Sequence, residues 1–325
     1  MSATVNNPDL PDLDAIQAAE NRICDLVPET PLFRAFDLGE HLDQPLWLKA
    51  ENLQRGGSFK ARGALNWVMT ATPDELECGL ITVSAGNHAL ALAWAAAQKK
   101  VPVTVVMPEG SSRMKIRNTR KFGAEVIVEG TIREAVQLCH ELQKSRQLTL
   151  VHPYNNPRIM AGQGTIGLEI LRQLPDAARI LCPVGGGGLI SGIGIAAKTL
   201  RPDIRLIGVE PRGAATMRNA WDHNDYRASL DQIDTVAVSL APAVVGEYTY
   251  AASRKVVDDI VLVSEEAIKE ATRMVMSHAR LYAETGAVVG IAALLENAIP
   301  KDESIATVTV ITGGNMDFDQ LKSIL

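Results

Sequence analysis

A chain of 325 residues with 46% hydrophobic and 22% charged residues has enough apolar material for a globular protein of two domains. Its formal net charge of -6 is spread without acidic or basic blocks, which excludes the electrostatic footprint of a nucleic-acid binder. No apolar run reaches the ~18 residues of a membrane span, and the start, MSATVNNPDLPDLDAIQ, lacks a basic segment followed by an apolar one, so a cytoplasmic protein without membrane contact is expected.

In chain order, short β-branched runs alternate with longer helical patterns. PLWLKAE (45–51) precedes a helix from Ser58; GLITVSA (79–85) precedes HALALAWAAAQKK (88–100); VPVTVVMPE (101–109) precedes SRMKIRNTRKFG (112–123). AEVIVEG (124–130) leads to IREAVQLCHELQKSR (132–146), and LTLVHPY (148–154) follows. The second half repeats the scheme with ARILCPVG, LISGIGIAAKTL, IRLIGVEP, the strand and helix of 258–279, and the closing strand ATVTVITGGN (306–315). Nearly continuous apolar strands alternating with helices predict an α/β protein, with parallel sheets covered on both faces. Ligands of such folds bind beyond the carboxyl ends of the strands, where most of the glycines lie.

Cys24, Cys78, Cys139 and Cys182 form no CxxC pair and read as reduced, buried thiols, and the six histidines show no metal-ligand spacing.

The most specific local feature is ILCPVGGGGLISG (180–192). Gly185, Gly186, Gly187 and Gly188 follow a strand and precede a helix, so that successive backbone N–H groups can converge on one anion at the positive end of the helix dipole. The run lacks the lysine and hydroxyl of a P-loop and the GxGxxG spacing of a dinucleotide loop, which leaves a phosphate on a smaller cofactor. Lys60 stands at a predicted helix start, where a cation is poorly placed against the dipole. A phosphate site elsewhere in the chain makes it a candidate for a Schiff base with pyridoxal phosphate. At another strand-to-helix junction, SAGNH (84–88) offers Ser84, Asn87 and His88 to a carboxylate. TGGN (312–315) alone reads as an ordinary turn.

Taken together, ENLQRGGSFKARGA, SAGNH, VMPEGSSRMKIRNTRKFGAEV, AGQGTIGLEIL, PVGGGGLISG, GVEP, ETGA and TGGN occur in the family order of the serine/threonine dehydratases and serine racemases, which the chain resembles over nearly its whole length. This resemblance implies a fold-type II pyridoxal-phosphate enzyme, similar to the tryptophan synthase β chain. Residues 1–77 and 153–325 would form a large cofactor-binding domain and 78–152 a small one. It implies Lys60 as the Schiff-base residue, Phe59 beside the cofactor ring, and Gly185 to Gly188 with Leu189 around the phosphate. Asn87 would bond the ring hydroxyl, Thr312 would face the pyridine nitrogen, and Glu284 of ETGA would complete the cofactor site. Ser84, Ala85, Asn87, His88 and Arg133 would meet the substrate.

The reaction implied is dehydration of a β-hydroxy amino acid to a 2-oxo acid and ammonia, with Lys60 and Ser84 as the catalytic pair and a homodimer as the assembly. An amino-acid racemase, a β-replacement synthase, against which SAGNH in place of a TSGNT-like loop argues, and a cofactor-holding protein without catalysis are the alternatives. Racemases of the group carry a second serine after the first, and here that position is Ala85. The family's Ala-Asp-Gly is replaced by Ala237, Val238 and Ser239, and Arg133 aligns with an arginine of racemase-like members, so threonine, serine, 3-hydroxyaspartate and bulkier β-hydroxy amino acids all remain open. Of the residues that hold a divalent cation in some members, Glu210 and Ala214 match while Thr216 replaces an aspartate, so a cation is not expected. The C-terminal regulatory domain of biosynthetic threonine dehydratases is expected to be absent.

Overall fold

The structure, a computed structural model, describes residues 8–324. Met1 to Asn7, part of the stretch read as leaderless, lie outside the described residues. Ten strands form two sheets: β1 Leu32–Arg34, β2 Leu46–Ala50, β3 Leu80–Val83, β4 Val103–Met107, β5 Glu125–Val128, β6 Thr149–Leu150, β7 Ala177–Pro183, β8 Arg205–Pro211, β9 Asp259–Val263 and β10 Ala306–Ile311. The larger sheet has the order β1-β2-β10-β7-β8-β9 and the smaller β5-β4-β3-β6. Every pairing is parallel except β1 with β2, whose antiparallel edge no periodic signal announced. Burial on both faces explains the near-continuous apolar strands, as in VTVVM of β4, all five residues of which are buried.

The smaller sheet shares a hydrophobic core with residues outside 78–152: Ile23, Val27, Leu65 and Trp67 pack with Leu80, Val103 and Val105. The helix Lys60–Thr70 thus joins the two sheets, touching both the helix Asn87–Gln98 and the long helix Pro157–Gln173. Its approach to the latter is backbone-close, because a Cβ on Gly162 would stand 2.6 Å from Gly63 Cα. Glycines in AGQGTIGLEIL therefore serve packing rather than a turn.

The helix predicted from Ser58 starts two residues later. Ser58 is extended (φ -164°) and bridges Gly313 in an antiparallel pair, so the chain turns into the helix only after it. LTLVHPY yields only a two-residue strand, Thr149–Leu150, and the last bond to its neighbour is from Val151 N to the Ile81 carbonyl at 2.9 Å; Pro153, two residues on, has no N–H to extend the pairing. Of the four thiols expected to be buried, Cys139 and Cys182 are, whereas Cys24 and Cys78 are exposed. Cys24 directly follows the helix Leu13–Ile23, past its last buried residue.

Candidate active site

Carboxyl ends of both sheets and the helix starts beyond them enclose a cavity of about 220 Å³. It is lined by Phe59 and Lys60, by Ser84 to His88, by Gly185 to Leu189, and by Glu284 and Thr312. Every cofactor-site residue expected from the sequence is thereby brought to one space, although the segments are far apart in the chain.

Lys60 projects from the first turn of its helix, and its Nζ donates to the Pro153 carbonyl at 2.8 Å, 5.1 Å from the Phe59 ring centroid. Burial lowers its pKa to about 8, with the Glu284 carboxylate opposing part of that shift. A largely desolvated amine that loses its proton near neutrality conflicts little with the helix dipole, which resolves the odd placement seen in the sequence.

Opposite, Gly187 adopts φ +86° as the residue preceding the helix Gly188–Leu200, a left-handed conformation that glycine adopts without a steric penalty. Gly186 has no room for a side chain, because a Cβ there would overlap the Tyr154 ring. The result is a bare cradle of backbone N–H groups at the start of a 13-residue helix.

In SAGNH, Ser84 Oγ accepts from the Gly86 amide at 3.2 Å. Gly86 precedes the helix Asn87–Gln98 without any side-chain cap, so that helix presents its first amides to the cavity. Asn87 Nδ2 donates to Glu284 Oε1 at 2.7 Å. His88 is buried with Nε2 against the Val151 carbonyl at 3.1 Å, and burial lowers its pKa to about 3, which keeps the ring neutral. Ala85 is exposed at the cavity wall.

Arg133 does not reach this space. It lies exposed in the first turn of the helix Ile132–Ser145, among residues outside the cavity lining. The Val238 and Ser239 departure, in contrast, does line the cavity, and Val238 is exposed. Lys115, Tyr154 and Leu240 also line it. Lys115 could have been found within the VMPEGSSRMK motif, whereas Tyr154 was concealed in a run that read as strand.

Glu210 is fully buried, and its two carboxylate oxygens accept from the Met217 and Arg218 amides at 2.8 and 2.9 Å. Burial raises its pKa to about 8. Glu210 thus caps the helix Thr216–His223, and Ala214 lies buried in the preceding turn. No group of three or more His, Cys, Asp or Glu residues suited to a metal occurs among the described residues, and no helix among them is long and apolar enough to cross a membrane.

A profile of the family described as pyridoxal-phosphate dependent enzyme matches residues 23–313. The chain belongs to that family. It is 40% identical over 315 residues to the L-threonine ammonia-lyase of Geobacter sulfurreducens, covering 95% of this chain and 77% of that one. Maize serine racemase superposes with a TM-score of 0.91 at 31% identity, covering 97% of each chain. The processed form of threonine deaminase isoform 2 from Solanum lycopersicum gives 0.87 at 36% identity, with coverages of 98% and 94%. The protein is thus a fold-type II pyridoxal-phosphate enzyme.

Proposed function

We propose that this pyridoxal-phosphate-dependent lyase dehydrates a β-hydroxy amino acid of the threonine and serine type, releasing a 2-oxo acid and ammonia. The observation that carries the reading is the desolvated Lys60 amine sharing one cavity with the side-chain-free cradle of Gly185 to Gly188.

The cavity fits the cofactor. The cradle is closed to any Cβ at Gly186, and its amides suit a phosphate, with Leu189 in the first turn of the helix that follows. Phe59 would pack on the ring, Asn87 would bond its hydroxyl with Glu284 alongside, and Thr312 would face its nitrogen. When bound, pyridoxal phosphate supplies a conjugated ring that withdraws electrons from the substrate Cα.

The amides at the start of the helix Asn87–Gln98 hold the substrate α-carboxylate. Ser84 Oγ accepts from the Gly86 amide, which leaves its proton free for the substrate. Lys60 Nζ, neutral in a substantial fraction near pH 8, takes the Cα proton. The Cβ–O bond then breaks, the hydroxyl leaves as water by taking up one proton, equivalent to the one Lys60 removed from Cα, and the released enamine takes up water to give the 2-oxo acid and ammonia.

Ala85 supplies no acid or base where a two-base racemase requires one, which favours elimination over epimerisation. The open wall at Val238 and Ser239 favours small or medium side chains over one fixed by a charged pocket residue. We place the enzyme in the cytoplasm as a homodimer, with residues 1–77 and 153–325 as its large domain and 78–152 as its small one. Arg133 would act on substrate only from outside the cavity described.

The test is a 2-oxo acid and ammonia assay over threonine, serine, 3-hydroxyaspartate and bulkier β-hydroxy amino acids. Formation of both products from threonine or serine is expected; epimerisation without either product would refute the reading.

A further inference from the structure

Asn315, the last residue of TGGN, has no assigned role, yet it sits in a hydrogen-bonded chain that reaches the cofactor cavity. Its Nδ2 donates to the Gly56 carbonyl at 2.6 Å and to Asn87 Oδ1 at 2.9 Å. Asn87 Nδ2 in turn donates to Glu284 Oε1 at 2.7 Å. Four segments meet here: the turn that delivers Lys60, the loop beyond β10, the helix start beside the smaller sheet, and the stretch that carries Glu284.

The direction of this chain follows from its first member. A backbone carbonyl can only accept, so the Asn315 atom facing Gly56 must be the amide nitrogen. The same nitrogen then faces Asn87, whose nearer atom must be the oxygen. Asn87 is left with its nitrogen turned toward Glu284 and the cavity. A free asparagine amide could present either atom, and at a site meant to donate, the flipped form would place oxygen against oxygen.

Surrounding glycines leave room for this arrangement. A Cβ on Gly57 would stand 2.8 Å from Asn315 Oδ1, and one on Gly313 would stand 2.9 Å from Glu284 Oε1 and 3.1 Å from Asn87 Nδ2. The turn is held in register by Gly314 N donating to the Gly57 carbonyl at 2.9 Å and by the bridge between Ser58 and Gly313.

We infer that Asn315 is a positioning residue that fixes Asn87 as a donor toward the cofactor ring and ties it to the turn carrying Lys60. The inference rests on the pyridoxal-phosphate reading of the cavity. Asn315→Ala removes one of the two groups that orient the Asn87 amide and leaves Glu284 as the other. Asn315→Asp puts oxygen against two acceptors, so the Asn87 amide meets a repulsive oxygen in either orientation, from the introduced carboxylate or, once flipped, from Glu284.

The experiment titrates pyridoxal phosphate into the full-length apo-protein and records affinity and the visible absorption maximum for both variants, alone and combined with Asn87→Ala. Thermal unfolding of each apo-protein controls for folding. Asn315→Asp is expected to weaken cofactor affinity at least about tenfold and to move the absorption maximum, with Asn315→Ala weaker in both respects. In the Asn87→Ala background, Asn315→Asp should add little, since the two residues act as one unit. Unchanged affinity and spectrum in folded Asn315→Ala, or an Asn315→Asp effect that persists undiminished without the Asn87 amide, would overturn the inference. A wild-type protein that takes up no cofactor would overturn the underlying reading, a result distinct from either.

Discussion

Lys49 and Lys60 lie eleven positions apart and both are desolvated, yet their surroundings differ in kind. Lys49 is fully buried in β2, and its Nζ contacts Glu169 Oε2 at 2.5 Å, the Thr30 carbonyl at 2.7 Å and Gln173 Oε1 at 3.0 Å. Arg62 completes that network, gripping Glu51 through Nε and Nη2 at 2.8 Å and Glu169 through Nη1 at 2.6 Å. Burial lowers the Lys49 pKa, while Glu169 and Glu51 oppose it by direct charge. Lys60 has a carbonyl as its hydrogen-bond partner, and the Glu284 carboxylate opposes its desolvation without forming an ion pair. Lys49 is thus held by a contacting carboxylate within a network, whereas Lys60 has no contacting carboxylate and lies beside an open cavity, the setting expected of a reactive amine.

The largest effect that would sharpen this contrast is on Lys60. Lys60→Ala should lower kcat for elimination by about 10^3-fold or more, measured as 2-oxo acid formation, with the thermal unfolding midpoint preserved. Lys49→Met should do the opposite. It leaves Glu169 short of one cation in a buried site and should destabilise the fold by about 3 kcal/mol in urea titrations, with kcat of the folded protein unchanged. A Lys49 variant that folds normally but loses turnover would break the comparison.

The third expectation concerns pH. A neutral amine is the form that would react with an aldehyde, and burial lowers the Lys60 pKa to about 8. Capture of pyridoxal phosphate by the apo-protein should therefore accelerate by about tenfold per pH unit well below pH 8 and level off above it. A rate still rising steeply near pH 10 would indicate an ordinary solvated lysine. The smallest effect is that of Ala85→Ser, which adds a hydroxyl at an exposed cavity wall. It should add measurable Cα epimerisation of a substrate analogue, followed by chiral chromatography, while changing stability by less than about 0.5 kcal/mol.

Most of the architecture was legible because buried parallel strands and the helices between them write distinct periods into the sequence. β4 and the run through Gly185 to Gly188 are examples in which local pattern and position agree. The helix Pro157–Gln173 was less so, since the glycines that let helices approach, such as Gly162, blur its apolar stripe. Within the cavity, the motifs delivered Lys60, Ser84, Asn87, Glu284 and Thr312. They could not show that Arg133 lies exposed outside the cavity lining, that Tyr154 lies across the glycine cradle, or that Asn315 grips both Gly56 and Asn87. Those facts depend on contacts between segments distant in sequence, for which no spacing rule exists. The Arg62 network is of the same type, joining β2, a helix start and a helix more than a hundred residues further on.

The difference between Lys49 and Lys60 can be tested directly by reducing the cofactor-loaded protein with borohydride and mapping the modified peptide. A pyridoxyl group is expected on Lys60 and none on Lys49. Labelling at Lys49, or labelling spread over surface lysines with Lys60 unmodified, would contradict that expectation.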